Sequence, residues 1–414
     1  MLRLAKRIAP VAAIVAMLAA TVTPGLAARP HFGNRFSLLI YTHMQDTEGP
    51  IIQKLATAWA STHGGSAKVV VDKGSFQDWA TLSKAGRGPD IMFGNPDDNT
   101  GTFILGGTVA PVPGGVFDPS QYVSAAGPAV SQGGKVWALP VMLDTYALAY
   151  NKKLVPTPPK TFNDLIKIAQ KFPNVKGKTY GFMYDVANFY FSYAFFRGFG
   201  SYLFKQNGAS VDTSDIGLGN AGGVKALTFF RDLVRTYKLF PPDVNYTTAQ
   251  SLFQKGQLAM FIDGNWDVGA NRKALGKNFA VAPLPTLPGG GSPHQFSTVQ
   301  VAFVNSTSNN KDVSFQLIKD IIPQFQLLDL QTAGRIPVVK SALDSPTLTK
   351  DPVLSGYAKA ALAAEPLPNV PEMNAVWTPG GNAISLVING KSQPADAAAN
   401  LVKGIKQGIA QLTH

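Results

Sequence analysis

The segment from Val136 to Phe172 constrains the fold of this 414-residue chain more than any other. It opens as VWALPVMLDTYALAYNKKLV, in which two apolar runs flank a single carboxylate, Asp144. These runs predict two consecutive buried strands. The second half, PPKTFNDLIKIAQKF, predicts a helix that begins at Thr161, whose side chain can accept from the backbone N–H of Asp164. Pro173 ends the apolar stripe of this helix.

The chain before this segment alternates between strand and helix patterns. Strands are predicted at 36–41, 68–71 and 91–93, with helices from Pro50 and over 76–82. This order predicts an open, largely parallel sheet. Because ligands of such sheets bind beyond the carboxyl ends of the strands, the loops that start at residues 42, 72 and 94 are expected at a ligand cleft.

A second α/β unit is predicted after Asp144. A helix is expected over 223–237, strands over 258–262, 279–282 and 295–305, and another helix from Lys311. The Pro/Gly-rich segment 283–293 is expected to cross between two halves of the molecule. At 414 residues the chain exceeds what one hydrophobic core usually holds, so two domains are expected.

Composition excludes several functions. The chain contains no cysteine, which excludes disulfides, thiolate metal sites and thiol catalysis. The net charge is +12, but the basic residues are dispersed and no Arg-rich arm or aromatic-basic motif appears, so no nucleic-acid partner is expected. We interpret the charge as suited to an acidic exterior.

Three motif-like patterns carry no site. The glycines at 217, 219 and 222 match GxGxxG, but the preceding residues 211–215 are not the apolar strand that a dinucleotide site requires. Residues 95–101 resemble a calcium loop but lack its bidentate glutamate. The five histidines are scattered, with no HExxH motif. We therefore expect neither a cofactor nor a metal.

Further blocks occur in a fixed order along the chain: GPDIMF at 88–93, NKKLVPTPPKTF at 151–162, DIGLGNAGGVKALTFFRDLV at 215–234, FQKGQLAMFIDGNW at 253–266 and LPNVPEMNAVW at 367–377. With the segment around Asp144, they make the chain resemble the solute-binding proteins of ABC importers, most closely the maltose/maltodextrin-binding proteins. The resemblance implies an α/β, two-lobed periplasmic binding protein fold, in which each lobe is a mostly parallel sheet flanked by helices and the ligand cleft lies between the lobes.

In that family the chain crosses between lobes three times. The resemblance therefore implies an N-terminal lobe from 29–142 plus 297–347, and a C-terminal lobe from 143–296 plus 348–414.

The resemblance also implies the ligand-binding residues. Flat aromatic faces cover the apolar side of a pyranose, while carboxylates and amides pair its hydroxyls. The aromatic platforms are expected to be Tyr190, Trp266 and Trp377, with Asp144 as the acid at the hinge. The remaining matched positions are Gln45, Asp46, Asp72, Asn95, Asp97, Asp98, Asn188 and Thr378. Trp59, Trp79 and Trp137 are expected in the core.

These positions depart from the family pattern in ways that bear on the ligand. Gly94 stands where a stacking tryptophan is usual, and Asp98 where an arginine is usual. The resemblance thus implies capture of a neutral di- or oligosaccharide, maltose or maltodextrin-like, by a monomer that delivers it to an inner-membrane ABC permease complex without catalysis. Two alternatives stay open: a binding protein for an anionic sugar or a polyol, and a secreted carbohydrate-active enzyme with two nearby carboxylates.

The N-terminus is predicted to be a cleavable export signal. Arg3, Lys6 and Arg7 precede an apolar run over 8–20, which is too short to span a bilayer and ends before Ala27 and Ala28. Cleavage at 28 would remove three of the positive charges and leave +9. We expect a periplasmic protein without a membrane span and without a lipid-anchoring cysteine. Intact-mass measurement of the exported protein should show a chain that starts near Ala28 or Arg29; retention of residues 1–28 would contradict this.

Overall fold

The computed structural model of the chain describes residues 35–44, 47–173, 179–207 and 210–412. The predicted signal, residues 1–28, and the candidates Gln45 and Asp46 lie outside them. The strands are β1 Ser37–Thr42, β2 Ser66–Val71, β3 Ile91–Pro96, β4 Ser131–Gln132, β5 Lys135–Val136, β6 Leu139–Asp144, β7 Tyr146–Asn151, β8 Tyr180–Met183, β9 Phe204–Asn207, β10 Ser210–Ile216, β11 Leu258–Gly264, β12 Phe279–Ala282, β13 Phe296–Val304, β14 Ile336–Pro337 and β15 Glu365–Pro366.

The helices surround these strands. They are α1 Gly49–Thr62, α2 Phe76–Lys84, α3 Thr100–Leu105, α4 Ala126–Val130, α5 Phe162–Ala169, α6 Phe189–Gly198, α7 Ala221–Arg231, α8 Tyr246–Gln254, α9 Val268–Leu275, α10 Lys311–Thr332, α11 Lys340–Leu343, α12 Pro346–Thr349, α13 Pro352–Leu362, α14 Trp377–Ile388 and α15 Pro394–Leu412. The helix predicted over 223–237 is α7, which continues as a π-helical turn over Asp232–Thr236.

Two main sheets form two α/β lobes. The larger sheet has the order β14-β6-β13-β3-β1-β2, with β15 also paired to β13, and the smaller has the order β12-β7-β11-β8. Strands β1, β2 and β3 pair in parallel, as predicted. The pairs β8–β11 and β13–β15 are parallel as well. The expectation of mostly parallel sheets is wrong for β13, which runs antiparallel to β3 and β6, and for β7, which runs antiparallel to β11 and β12.

Crossings between the sheets explain this mixture. The chain leaves the larger sheet at Asp144, the last residue of β6, and enters the smaller sheet at Tyr146. Strands β7 and β13 each follow a crossing and start at the junction of the sheets, whereas β3, β6 and β11 end there. Strand β7 therefore runs antiparallel to β11, and β13 runs antiparallel to β3 and β6. Segment 283–295 makes the second crossing, from β12 to β13.

Apolar side chains pack between the strands and helices of each lobe. In the larger sheet, Ile40 and Phe93 pack with Leu55 of α1 and Ile318 of α10. In the smaller one, Phe162 makes edge contacts with Phe182, Phe195 and Phe229, with ring centroids 5.1–6.3 Å apart. Trp59 and Trp79 are buried, as predicted, and Trp137 is partly buried against the core. The division of the chain at 142/143, 296/297 and 347/348 remains a prediction; β6 itself continues to Asp144.

Thr145 holds the two crossings together. Its N–H donates to Asn265 Oδ1 at 2.8 Å, and its hydroxyl donates to the carbonyl of Phe296 at 2.8 Å. Asn265 returns a bond from its own N–H to the Thr145 carbonyl and donates its amide to the Leu143 carbonyl at 3.0 Å. These bonds satisfy the polar backbone where it leaves both sheets, which a buried crossing requires.

A buried charge cluster lies beside Thr145. Arg335, 6% exposed, donates Nε to Glu48 Oε1 at 2.5 Å and Nη1 to Asp144 Oδ2. Gln300 also donates to Asp144 Oδ2, at 2.9 Å, and Asn265 to Oδ1, at 3.2 Å. Burial and the charge of Glu48 raise the pKa of Asp329, which belongs to the same cluster. Arg335 thus joins α1, the end of β6 and α10.

Removal of Arg335 should strongly destabilise the fold, because Glu48 and Asp144 would stay buried without their cation. We expect Arg335→Met to lower the free energy of unfolding by about 3–5 kcal/mol, measured by denaturant titration. The control is Arg197→Met, which breaks the Arg197–Glu365 pair, whose side chains are 41% and 20% exposed; its loss should stay under about 1 kcal/mol. If Arg335→Met does not fold, the same denaturant titration is carried out on Arg335→Lys. Equal losses at both sites would contradict the assignment.

Candidate binding site

A cavity of about 720 Å³ opens between the two sheets, where strands of both end. Its walls come from the loop after β1, the start of α2, the ends of β3 and β6, the start of α6, the turn after β11, β13 and the start of α14. Six predicted residues line it: Asp98, Asp144, Asn188, Tyr190, Trp266 and Trp377. The carboxyl ends of the strands thus form a cleft, as the strand order predicted.

Aromatic rings form one side of this cleft. Tyr190 and Trp266 lie 6.4 Å apart between ring centroids, and Phe191 packs against both. Tyr190 also accepts a hydrogen bond at its hydroxyl from Thr298 of β13, at 3.1 Å. Trp377 packs edge-on against Phe189 at 6.3 Å. Each of the three rings is partly exposed and backed by other rings, so the cleft presents flat apolar faces.

Asp98 and Trp377 form a hydrogen bond across the cleft. Trp377 Nε1 donates to Asp98 Oδ2 at 3.2 Å, and Asn99 donates to the other oxygen at 3.2 Å. Burial raises the pKa of Asp98 from its ordinary 3.8 to about 6, while the bond from Trp377 acts in the opposite direction. Asp98 is therefore a carboxylate at neutral pH that loses its charge in mildly acidic solution.

The carboxylate of Asp144 is already bonded to other groups of the protein. Both Asp144 oxygens accept protein hydrogen bonds, and Arg335 compensates its charge. Burial nevertheless raises the pKa of Asp144 above its ordinary value, because the charge of Arg335 offsets this only in part. A ligand that reaches Asp144 thus meets an ion pair, with Gln300 and Arg335 beside it in the wall.

The structure places Asp97 away from the cleft. Asp97 lies in the 3-10 turn Asp97–Asn99 after β3 and lines a second cavity of about 760 Å³ with Ser297 and Val299. Because successive residues of a strand face opposite sides, Thr298 and Gln300 of β13 line the cleft instead. The Val299 N–H bonds to the Asp97 carboxyl. Burial and the charge of Asp98 raise the pKa of Asp97 well above its usual range.

Three other candidates also lie outside the cleft. Asn95 is fully buried, and its amide donates to the Pro96 carbonyl at 2.9 Å. Thr378 is exposed on the first turn of α14, on a different side from Trp377. Asp72 faces a third cavity of about 470 Å³ and lies 3.6 Å from His43 Nε2. Because His43 borders both cavities, Asp72 is one residue removed from the cleft.

Several residues that line the cleft were not predicted. They are His43, Ser75, Phe76, Asn99, Thr298, Gln300, Arg335, Leu367 and Asn374. His43 packs on Phe76 at 4.4 Å, and its pKa is lowered by burial, against the charge of Asp72. Arg335 is the most important of the cleft residues that were not predicted from the sequence. Its only signal in the sequence is a lone arginine before the apolar run 336–339, after a helix that contains Asp329.

Within the described ranges there is no cluster of three His, Asp or Glu side chains that could hold a metal ion. The helices described for this chain include none long and apolar enough to cross a bilayer.

Comparisons with known proteins agree with this geometry. A family model described as bacterial extracellular solute-binding protein matches residues 45–319. A maltooligosaccharide ABC transporter solute-binding lipoprotein of Streptococcus pneumoniae strain R6 is 30% identical over 344 residues, which cover 80% of this chain and 78% of the relative.

Two solved structures are also similar. The maltose-maltodextrin binding protein of Alicyclobacillus acidocaldarius is 34% identical, with a TM-score of 0.84 over 90% of this chain and 100% of that one. The Thermus thermophilus maltotriose binding protein, bound with maltotriose, is 33% identical, with a TM-score of 0.83 over the same shares of both chains.

Titration of Asp98 should be visible in the stability of the protein. Its pKa is raised in the folded state, so its contribution to stability is largest at acidic pH and is lost as the pH rises from about 4 to about 6. The free energy of unfolding of the wild type, minus that of Asp98→Asn, should fall by about 2–3 kcal/mol over this range. Denaturant titrations at several pH values measure it. A difference that is constant with pH would contradict the assignment.

Proposed function

Since this chain belongs to the family of bacterial extracellular solute-binding proteins, we propose that it captures a neutral maltodextrin-like di- or oligosaccharide and delivers it to an ABC importer. It is a binding protein and not an enzyme. The observation that carries the proposal is the cleft itself, in which Tyr190, Trp266 and Trp377 present aromatic faces beside Asp98, Asn188 and Gln300. Such faces cover the C–H side of a pyranose, and carboxylate and amide groups pair its hydroxyls.

The volume of the cleft agrees with this ligand class. A cavity of about 720 Å³ lies within the range of pockets that enclose small organic molecules and has room for a saccharide of more than one ring. The similar proteins named above bind maltose, maltodextrin or maltotriose by their descriptions. We infer a mechanism in which the lobes close over the sugar, since only the closed state lets the sugar touch residues of both lobes.

The charges in the cleft favour a neutral ligand over an anionic one. Asp98 and Asp144 line the cleft, and Arg335 is bonded to both Asp144 and Glu48. A uronate would lose its hydration beside Asp98 and would compete for a guanidinium that two buried carboxylates already hold. The dispersed positive surface acts mainly on encounter rates and is screened within about 8–10 Å.

Export to the periplasm completes the proposal; it is supported by the basic n-region and apolar run within residues 1–28 and by the extracellular family. The monomeric state remains a prediction from the resemblance. The Streptococcus relative is described as a lipoprotein. The sequence of this chain contains no cysteine.

Calorimetric titration with maltose and maltotriose, alongside glucuronate- and galacturonate-type ligands, tests the function. We expect binding of a neutral glucan and none of the acids in the same concentration range. Trp266→Ala and Trp377→Ala should each weaken the neutral ligand by about 30-fold, because truncation of a buried aromatic anchor costs ~2 kcal/mol or more. Tyr237→Ala, at an exposed tyrosine, is the control.

Either of two outcomes would reject the proposal. Tighter binding of the acid sugars would show that the surface charge decides specificity. Losses under about threefold in both tryptophan variants, with folding intact, would show that these rings are not the platforms.

A further inference from the structure

A single phenol oxygen behind Trp266 is contacted by three polar atoms. Tyr246 Oη lies 2.7 Å from Trp266 Nε1, 2.6 Å from Asp263 Oδ1 and 2.6 Å from Asp267 Oδ2. Trp266 lines the cleft, whereas Asp263 and Asp267 are 0% and 1% exposed. The tryptophan is thus linked through one hydroxyl to a buried pair of carboxyl groups on either side of it in the sequence.

The number of protons in this contact can be counted. A phenol oxygen donates one hydrogen bond and accepts two, and an indole N–H only donates. Trp266 fills one acceptor position of Tyr246, and the Tyr246 proton can serve only one of the two carboxyl groups. The other 2.6 Å contact joins two oxygens, so it requires a second proton, and that proton must sit on a carboxyl group.

Asp263 is the better site for this proton. Burial raises the pKa of Asp263 well above its usual range, and the charge of Asp267 raises it further. Its Oδ1 also accepts from the Gly264 N–H at 2.8 Å, and its Oδ2 from the Asn271 amide at 2.6 Å; these bonds lower the pKa of Asp263, but by less than burial and the charge of Asp267 raise it. Asp267 Oδ2 accepts from Gln250 at 2.5 Å. With a proton on Asp263 Oδ1, all three contacts of Tyr246 Oη are hydrogen bonds.

We propose that Tyr246 and protonated Asp263 are positioning residues, which fix the Trp266 ring as a sugar platform and tie its orientation to one buried proton. This inference rests on the proposed function for its effect on affinity, but the hydrogen-bond network itself exists without a ligand. Ionisation of Asp263 would place a second negative charge against Tyr246 Oη. The contact would break, and the support behind Trp266 would loosen.

Other titratable groups face the same network. Tyr357 of α13 donates its hydroxyl to the Asp263 carbonyl at 3.3 Å, and Asp185 accepts from the Tyr246 N–H at 3.2 Å. The pKa of Tyr357 is raised well above its usual value by burial and by the two carboxyl groups, so this phenol stays neutral. Asp185 has a pKa raised by burial. The Asp185→Asn variant therefore separates its titration from that of Asp263.

The experiment reads Trp266 directly. Protein with ¹⁵N-labelled tryptophan gives one indole N–H resonance per tryptophan, and Trp266→Phe assigns the resonance of Trp266. We expect Tyr246→Phe to shift this resonance in the absence of sugar and to weaken maltotriose binding about five- to tenfold, which is the cost of one lost buried hydrogen bond. Tyr202→Phe, which removes a 2.7 Å bond to Asp215, should change neither.

The pH dependence of the Trp266 resonance tests whether the buried proton sits on Asp263. In the wild type and in Asp185→Asn, the Trp266 resonance of the sugar-free protein should hold at low pH and change as the pH rises through the titration of Asp263. The resonance is the readout here, and not the affinity, because Asp98 in the cleft titrates as well. Asp263→Asn removes the titrating group and can place an amide donor beside Tyr246 at the cost of the Gly264 N–H bond, so its Trp266 resonance should stay near the low-pH wild-type position at all pH values. Restoration by this variant distinguishes the proposal from a merely structural role.

Three results would overturn the inference: a Trp266 resonance that Tyr246→Phe does not move, a pH dependence that Asp263→Asn retains, or one that Asp185→Asn removes. Failure of the wild type to bind maltotriose would reject the proposed function instead. The resonances in sugar-free protein would still decide whether the network positions Trp266.

Discussion

The guanidinium of Arg335 compensates the buried carboxylates that lie where the chain crosses between the two sheets. Glu48, Asp144 and Asp329 come from α1, β6 and α10, and all three are buried. Carboxylates in a low dielectric repel each other and lose their hydration. Arg335 compensates two of them directly, and burial together with the charge of Glu48 raises the pKa of the third, Asp329. The position of β6 relative to α1 and α10 depends on this balance, and so does the cleft that begins at Asp144.

The same balance bears on the ligand. Asp144 reaches the cleft with its charge compensated and both oxygens occupied. Around Asp144, the polar wall thus offers hydrogen bonds from preorganised groups instead of a free charge. Against the aromatic faces of Tyr190, Trp266 and Trp377, this environment suits a neutral, hydroxyl-rich ring whose two faces are apolar. The positive charge of the chain is spread over its surface and is not focused in the cleft.

Much of the fold could be predicted from local patterns. The runs on either side of Asp144 and the parallel order of β1, β2 and β3 follow from apolar periodicity, and Thr161 caps α5 by accepting from Asp164 at 3.1 Å. The antiparallel pairing of β7 and β13 could not be predicted in this way. It depends on which end of each strand lies at the crossing, which is a property of the whole topology.

Some of the residues that line the site could likewise be predicted from the sequence, and others could not. Motif positions pointed to three aromatic residues that line the cleft, Tyr190, Trp266 and Trp377, each of which follows a strand or lies at the start of a helix there. Asp97 and Asp98 could not be distinguished in the sequence, since neighbouring residues differ only in the side of the chain on which they project. Arg335 was missed because its role comes from contacts with Glu48 and Asp144, which are 287 and 191 residues away.

The two tryptophans of the cleft are held in different ways, and this matters for closure. Trp377 starts α14, which packs with α6 and α7 behind the smaller sheet, but its indole bonds to Asp98 at the end of β3 in the larger sheet. Trp266 bonds to Tyr246 of α8, and α8 packs on β11, the strand that precedes Trp266. The Trp377–Asp98 bond therefore joins elements of the two sheets, whereas the Trp266–Tyr246 bond joins neighbouring elements of the smaller sheet. Under the lobe closure proposed above, Trp266 would be held in place before the sugar binds, while Trp377 would gain its bond to Asp98 only as the lobes close.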